Sequence, residues 1–177
     1  AAGCIDLNAP VAENLRSVAR ALGKDVEDLT VVILDRPRHE QVIQEIRRAG
    51  ARIKLITDGD VAPAVAAGFE STGVDMLMGT GGAPEGVLAA AALYCLGGEL
   101  QARLKPSNAE EVERCKKMGI ADPDRVLFMK DLVRGEDVIF AATGITDGDL
   151  LKGVRYFGNG VATHSVVMRA KTGTIRF

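Results

Sequence analysis

The fold is decided by residues 74–97, which read VDMLMGTGGAPEGVLAAAALYCLG. Residues 74–78 form an apolar run of strand length, and residues 87–96 are rich in Ala and Leu, which favour a helix. Pro84 lies in the glycine-rich segment between them and suits a first helical turn, because the N–H group that proline lacks has no partner there. A strand, a glycine loop and a helix in this order can bind an anion through the free N–H groups of the first helical turn.

Glu85 allows two interpretations of this glycine loop. A carboxylate beside an anion site is best explained by a divalent cation that lies between the two charges. Alternatively, the segment is a tight turn in which Glu85 stabilises the helix through the helix dipole. The glycine spacing matches neither GxGxxG nor a P-loop, so the segment alone leaves both interpretations open.

The same order of strand, loop and helix occurs twice upstream. Residues 29–34 are aliphatic and mostly β-branched, which is typical of a strand buried on both faces, and residues 53–56 predict a second strand. Helices are predicted over residues 39–49 and 61–69. Three such units predict an α/β fold with a parallel sheet and right-handed crossovers. The loops that follow the three strands then lie at one edge of the sheet, where ligands bind in such folds.

The remaining patterns complete a single α/β domain over residues 1–177. Two further helices are predicted, one over residues 11–22 that ends at Gly23, and one over residues 108–118 that is capped by Asn108. Strands are predicted over residues 99–104, 126–129, 138–142, 161–169 and 174–177, and Thr172 and Gly173 join the last two into an antiparallel hairpin.

The composition argues against several classes of function. Hydrophobic residues make up 47% of the chain and charged residues 26%, with a net charge of −2, so nothing supports binding to nucleic acid or to a membrane. No apolar run approaches the ~20 residues of a transmembrane helix. The three cysteines, Cys4, Cys95 and Cys115, form no disulfide framework. These features predict a cytoplasmic protein.

The first loop carries two arginines, Arg36 and Arg38, with Pro37 between them. Two guanidinium groups held by a rigid proline can grip a phosphate, because their fork of donors matches phosphate oxygens. The alternative is that both are solvated surface charges, which are common in loops.

The second loop carries two aspartates, Asp58 and Asp60, on either side of Gly59. Carboxylates across a tight turn can hold sugar hydroxyls or a metal ion. Alternatively, they form an Asx-type turn in which Asp60 caps the next helix.

Other polar residues are weaker candidates. Asp147 and Asp149 lie in a second Gly-Thr-Asp turn, whose simplest interpretation is a polar turn. His39 is interpreted as an exposed or capping residue and His164 as a structural residue of a strand. No cysteine is interpreted as a nucleophile.

Taken together, the three loops combine arginines, aspartates and a glycine segment with Glu85. This combination suits a phosphorylated, polyhydroxylated ligand with a divalent cation, that is, a sugar phosphate.

Four motifs carry a resemblance to a known family: LDRPRH at residues 34–39, DGDVA at 58–62, GGAPEGVLAAAA at 81–92 and FAATGITDGDLL at 140–151. The chain resembles the class II fructose-1,6-bisphosphatases, including forms that also act on sedoheptulose 1,7-bisphosphate. The resemblance implies a layered α/β sandwich of the sugar and inositol phosphatase type, with a largely parallel sheet and helices on both faces. It also implies hydrolysis of the 1-phosphate with Mg²⁺ or Mn²⁺, in gluconeogenesis and in the Calvin cycle.

The resemblance assigns a role to each matching position. Arg36, Pro37 and Arg38 correspond to the segment that grips the distal phosphate, and Arg36 stands where many members have Lys. Asp58, Gly59 and Asp60 correspond to the segment that contacts sugar hydroxyls, Gly82 lies where the backbone meets the substrate, and Glu85 corresponds to a metal ligand.

Members of the family are nearly twice as long, and their amino-terminal half carries the other metal ligands and the acidic residue that activates water. The chain is therefore expected to be a carboxyl-terminal half that holds no catalytic residue and is inactive alone. The full-length protein is expected to form a homo-oligomer. The rival hypothesis is a non-enzymatic Rossmann-like module for a nucleotide or phosphate, in which Asp58 would hold a ribose.

Overall fold

The computed structural model describes residues 2–177. Six helices are present in this part of the chain: α1 (Val11–Leu22), α2 (Glu40–Ala49), α3 (Val61–Ala66), α4 (Ala83–Leu96), α5 (Ala109–Lys117) and α6 (Met129–Leu132). The strands are β1 (Thr30–Leu34), β2 (Arg52–Ile56), β3 (Met76–Leu77), β4 (Ile139–Thr143), β5 (Arg155–Phe157), β6 (Gly160–Ala162), β7 (Ser165–Arg169) and β8 (Thr174–Arg176).

The first sheet is parallel, with the strand order β2-β1-β3. Its central strand is buried on both faces, as predicted. Val31 and Ile33 pack with α1 and α2 on one face, and Val32 packs beside Ala66 of α3 on the other. Helices therefore cover both faces of this sheet. Because its three strands are parallel, their carboxyl ends lie at one shared edge.

A second sheet is antiparallel, with the order β4-β7-β8. Ala92 of α4 and Val65 of α3 pack against Phe140 and Met168 of this sheet. The layers are thus α1 and α2, the parallel sheet, α3 and α4, and the antiparallel sheet. The separate pair β5-β6 is also antiparallel, and all six of its residues are exposed.

The α/β class and the carboxyl-terminal hairpin are confirmed, but parallel pairing is confined to the first sheet. The expectation of a largely parallel sheet therefore holds only for the first half of the chain. The reason lies in the connections, since parallel strands need a crossover of a dozen or more residues. β7 and β8 are separated by a short turn that ends at Gly173, where φ is +59°, and only antiparallel pairing is possible.

Two strand predictions were wrong and a third was too long. Residues 99–104 and 126–129 contribute only an isolated bridge between Ala102 and Leu127, because the Asp131 carboxylate accepts the N–H of Phe128 and α6 begins there. The strand predicted over residues 161–169 is interrupted at His164. The carbonyl of His164 accepts the N–H of Gly144 instead of a ladder partner. Within residues 2–177, no helix has the length and apolar character that crossing a membrane requires.

Candidate functional site

Three loops follow the strands of the parallel sheet and meet at its carboxyl edge. Loop 1 (residues 35–39) follows β1, loop 2 (residues 57–60) follows β2, and loop 3 (residues 78–82) follows β3. Because β1 is the central strand, loop 1 lies between the other two loops. Hydrogen bonds connect loop 1 to both of the other loops at this edge.

The two arginines of loop 1 reach the loops on either side. Nη2 of Arg36 donates to the carbonyl of Thr57 at 2.6 Å, and its Nη1 donates to the carbonyl of Asp35 at 3.1 Å. Nε and Nη2 of Arg38 both donate to the carbonyl of Thr80, at 3.1 and 2.8 Å. A guanidinium has five N–H donors, so each arginine retains donors for a ligand. The arginines are therefore attached to the site and are not simply solvated charges.

Loops 2 and 3 approach each other through a carboxylate and a glycine. A Cβ atom on Gly81 would overlap Oδ2 of Asp60, so only glycine allows this approach. Asp58 accepts the N–H of Gly59 at 2.9 Å, and Gly59 has φ +75°, which fits the predicted turn. Asp60 precedes α3 at the cap position, but its side chain makes no capping hydrogen bond. The alternative interpretation of Asp60 as a helix cap is therefore wrong.

Glu85 lies in the first turn of α4, against Gly82, which directly precedes the helix. A Cβ atom on Gly82 would overlap Oε2 of Glu85. Within residues 2–177, the carboxylates of Asp60 and Glu85 have no hydrogen-bond or ion-pair partner. Two free carboxylates thus lie beside neighbouring glycines of one loop, at the positive end of a helix of 14 residues.

These carboxylates fit part of a divalent-cation site. Mg²⁺ is commonly held by one or two carboxylates and completes its shell with waters and phosphate oxygens. The described residues 2–177 contain no group of three or more His, Cys, Asp or Glu side chains that could hold a metal ion. Glu85 could therefore be a ligand in a site that other groups complete.

His39 is the residue of this site that the sequence interpretation missed. It was interpreted as exposed or capping, but its side chain is 2% exposed and makes no cap. Nδ1 bonds to the carbonyl of Leu34 at 2.8 Å, and Nε2 accepts the N–H of Thr80 at 2.8 Å. The local sequence carries no signal for this burial, because it depends on how Thr80 of loop 3 lies against the ring, 41 positions away in the chain.

The other polar candidates lie elsewhere and have structural partners. Asp147 accepts the N–H of Gly153 at 2.8 Å, and Asp149 forms an ion pair with Lys54. The ring of His164 accepts the N–H of Lys152 and stacks on Phe177. These contacts support the interpretation of the Gly-Thr-Asp turn and of His164 as structural.

Cys95 packs between α4 and the antiparallel sheet. Burial raises the pKa of its thiol, against the smaller opposing effect of backbone hydrogen bonds from Ala170 and Phe140. A thiol with a raised pKa is a poor nucleophile at neutral pH. This agrees with the sequence interpretation, in which Cys95 is not a nucleophile.

Comparisons with known proteins point to one family. The family model described as bacterial fructose-1,6-bisphosphatase, glpX-encoded, matches residues 1–177. Two proteins named D-fructose 1,6-bisphosphatase class 2/sedoheptulose 1,7-bisphosphatase, from Synechococcus sp. strains JA-3-3Ab and JA-2-3B'a(2-13), are 48% and 47% identical to the whole chain. A protein of the same name from Crocosphaera subtropica (strain ATCC 51142 / BH68) is 47% identical.

The whole of this chain is covered in each of these alignments, together with 54% or 55% of the relative. The chain therefore spans about half the length of the curated relatives that it matches. The family model matches every residue, and nearly half of all positions are identical to those of the relatives. This chain therefore belongs to the glpX-encoded family of bacterial fructose-1,6-bisphosphatases.

Proposed function

We propose that the protein containing this chain hydrolyses the 1-phosphate of fructose 1,6-bisphosphate, and the equivalent phosphate of sedoheptulose 1,7-bisphosphate. The names of the relatives support both substrates. The observation that carries the proposal for this chain is the meeting of three loops at one sheet edge. Arg36 bonds to loop 2, Arg38 bonds to loop 3, and Asp60 of loop 2 lies against Gly81 of loop 3.

In this proposal each loop binds a different part of the substrate. Arg36 and Arg38, set by Pro37, grip the distal phosphate with the donors that the loop contacts leave unused. Asp58 and Asp60 accept hydrogen bonds from sugar hydroxyls. Because the distal phosphate is fixed, the scissile phosphate is positioned at the first turn of α4.

Loop 3 receives the scissile phosphate. Gly82 directly precedes α4 and has no side chain, so its backbone can approach the substrate closely. Glu85 would hold Mg²⁺ or Mn²⁺, which, when bound, draws charge from the phosphate and lowers the pKa of an attacking water. The other ligands and the group that activates water come from the part of the protein outside this chain.

We also propose that this chain is part of a layered sandwich of the sugar and inositol phosphatase type. The alternation of helix, parallel sheet, helix and antiparallel sheet supports the layered sandwich of the sugar and inositol phosphatases. The remaining half of the protein would extend these layers.

The proposal is tested by titrating the 177-residue chain with fructose 6-phosphate, which retains the distal phosphate and the sugar. We expect saturable binding, and we expect Arg38→Ala to raise the Kd by about tenfold or more, because a hydrogen bond to a charged group contributes about 1.5–3 kcal/mol. Arg47→Ala is the matched control, since Arg47 is an exposed arginine in the last turn of α2. It should leave the Kd unchanged.

A second titration with NAD separates the proposal from the rival hypothesis of a Rossmann-like module. Binding of NAD without binding of fructose 6-phosphate would contradict the proposal and favour a nucleotide site. An equal loss of affinity in the Arg38 and Arg47 variants would contradict the specific role of loop 1.

A further inference from the structure

We propose that His39 is a positioning residue of the substrate site, which holds loop 3 against loop 1 so that Arg38 and the start of α4 face the same ligand. The inference rests on the proposed function, because it concerns the same site. His39 touches no reacting atom, so it is not a catalytic residue.

The imidazole of His39 is bonded at both nitrogens. Nδ1 lies 2.8 Å from the carbonyl oxygen of Leu34, which can only accept, so Nδ1 carries a proton. Nε2 accepts the N–H of Thr80 at 2.8 Å, so Nε2 carries none. The contacts therefore require a neutral ring in the Nδ1–H tautomer, and this ring connects the end of β1 to loop 3 across 41 positions of the sequence.

Thr80 is held at both of its backbone polar groups by two consecutive residues of loop 1. Its N–H donates to His39, and its carbonyl accepts from Nε and Nη2 of Arg38. Thr80 itself is exposed, so these bonds, and not burial, fix its position. Loop 3 is thereby kept in a defined place relative to the arginine that grips the distal phosphate.

Gly79 makes the close approach of the ring possible. Its φ is +140°, and an added Cβ would lie 3.2 Å from both Cε1 and Nε2 of His39. Any side chain here would press against the face of the histidine and strain the backbone. The absence of a side chain at Gly79 therefore leaves room for the imidazole beside this part of loop 3.

The position of loop 3 matters because Gly82, two residues after Thr80, directly precedes α4. A displacement of Thr80 moves the N–H groups of the first helical turn relative to Arg38. Because Arg38 bonds to the carbonyl of Thr80, the same displacement also moves the guanidinium that grips the distal phosphate, which fructose 6-phosphate retains. His39 thus contributes to binding through geometry.

Two substitutions in the 177-residue chain separate this role from simple packing. In His39→Asn the side chain retains a donor for Leu34 but is too short to reach Thr80. In His39→Gln the amide oxygen extends to the position of Nε2 and can accept the N–H of Thr80. The readouts are hydrogen exchange at the Thr80 amide, the Kd for fructose 6-phosphate, and the melting temperature.

We expect His39→Asn to accelerate exchange at Thr80 by about tenfold or more and to raise the Kd about tenfold. In His39→Gln, the exchange rate at Thr80 and the Kd should both return most of the way to the values of the unsubstituted chain. The melting temperature of this variant should be close to that of the Asn variant. Unchanged exchange and affinity in the Asn variant, or equal losses in both variants, would overturn the proposal.

A measurement on the unsubstituted chain does not depend on how the variants fold. Nitrogen-15 NMR of the His39 ring at pH 7 should show Nδ1 protonated and Nε2 unprotonated, and protonation at Nε2 would overturn the proposal. If the unsubstituted chain does not bind fructose 6-phosphate, the proposed function fails. The exchange at Thr80 and the tautomer still decide whether His39 holds loop 3.

Discussion

At the residue scale, Arg38, Asp60 and Glu85 lie around loop 3, at the carboxyl edge of the parallel sheet. Arg38 and Asp60 lie on loops that follow strand ends, and Glu85 lies in the helix that follows loop 3, so the order of elements was enough to bring them together. The burial of His39 was not predicted, because it depends on the distance between loop 3 and the end of β1. Nothing in the local pattern around residue 39 reports that distance.

Glu85 offers a direct test between its two interpretations, because Glu13 occupies the equivalent position of another helix. Both are exposed and stand third in their helices, α4 and α1. If the helix dipole explains Glu85, Glu85→Gln and Glu13→Gln should each destabilise the protein slightly, by about 0.3–1 kcal/mol.

If Glu85 binds the cation, only Glu85→Gln should impair the full-length protein. We expect a loss of turnover on the order of 10²-fold, as for removal of other groups that stabilise transition-state charge. The measurement is kcat with Mg²⁺ or Mn²⁺ for both variants. Equal turnover in the two would remove Glu85 from the metal site.

Asp137 and Arg169 give a prediction for the dependence on pH. Two hydrogen bonds from Arg169, of 2.7 and 2.5 Å, hold the pKa of the Asp137 carboxyl below its usual value. Because the folded pKa is lowered, the contribution to stability is present above about pH 3.9, the ordinary value. It is lost as the pH falls through the folded value.

This contribution is observable as a titration midpoint. The Asp137 carboxyl followed by NMR should titrate below about 3.9, and Arg169→Gln should raise the midpoint. A midpoint that Arg169→Gln leaves unchanged would show that the pair does not persist in solution.

At the scale of elements, the helix ends were the most predictable feature. α1, α2 and α4 end at Gly23, Gly50 and Gly97, whose φ angles are +65°, +93° and +69°, a conformation that glycine adopts without strain. The short strands after residue 98 were less predictable. Their pairing depends on distant partners, as in the bridge between Ala102 and Leu127, and sequence patterns do not report such partners.

The start of β3 depends on Asp75, whose carboxylate joins two elements. Its side chain is 8% exposed, accepts the N–H of Thr30 at 2.9 Å and pairs with Lys24 at 2.6 Å. Asp75→Ala would leave the half-buried N–H of Thr30 without its side-chain acceptor. We expect the free energy of unfolding to fall by about 1–3 kcal/mol, measured by urea denaturation.

Two controls isolate the cause of that loss. Lys24→Ala removes only the ion pair with an exposed lysine and should cost about 0–1 kcal/mol. Asp75→Asn keeps an oxygen for Thr30 and should behave like Lys24→Ala. If Asp75→Asn were as destabilising as Asp75→Ala, the charge and not the hydrogen bond to β1 would be responsible.

At the scale of the whole molecule, the candidate site lies at the carboxyl edge of the parallel sheet. The chain spans about half the length of its relatives, and the described residues 2–177 contain no complete set of metal ligands. That it corresponds to the carboxyl-terminal half stays a prediction, which the upstream coding sequence would test.

The isolated chain should bind a sugar phosphate without hydrolysing it. We expect no release of phosphate from fructose 1,6-bisphosphate above the uncatalysed background with Mg²⁺ or Mn²⁺, because Glu85 alone cannot complete a cation site. The measurement is a phosphate-release assay. Turnover in the ordinary enzymatic range of about 1–10³ s⁻¹ would show that the chain is catalytically complete.

The β5-β6 pair has a consequence for how the molecule responds to proteases. Its strands hydrogen-bond only to each other, and Tyr156 and Phe157 are 80% and 61% exposed. A lone two-stranded ribbon is marginally stable in water, so this segment should open while the layered core stays closed. Brief digestion with chymotrypsin, which cleaves after aromatic residues, should therefore cut first at this ribbon and leave two fragments that remain associated.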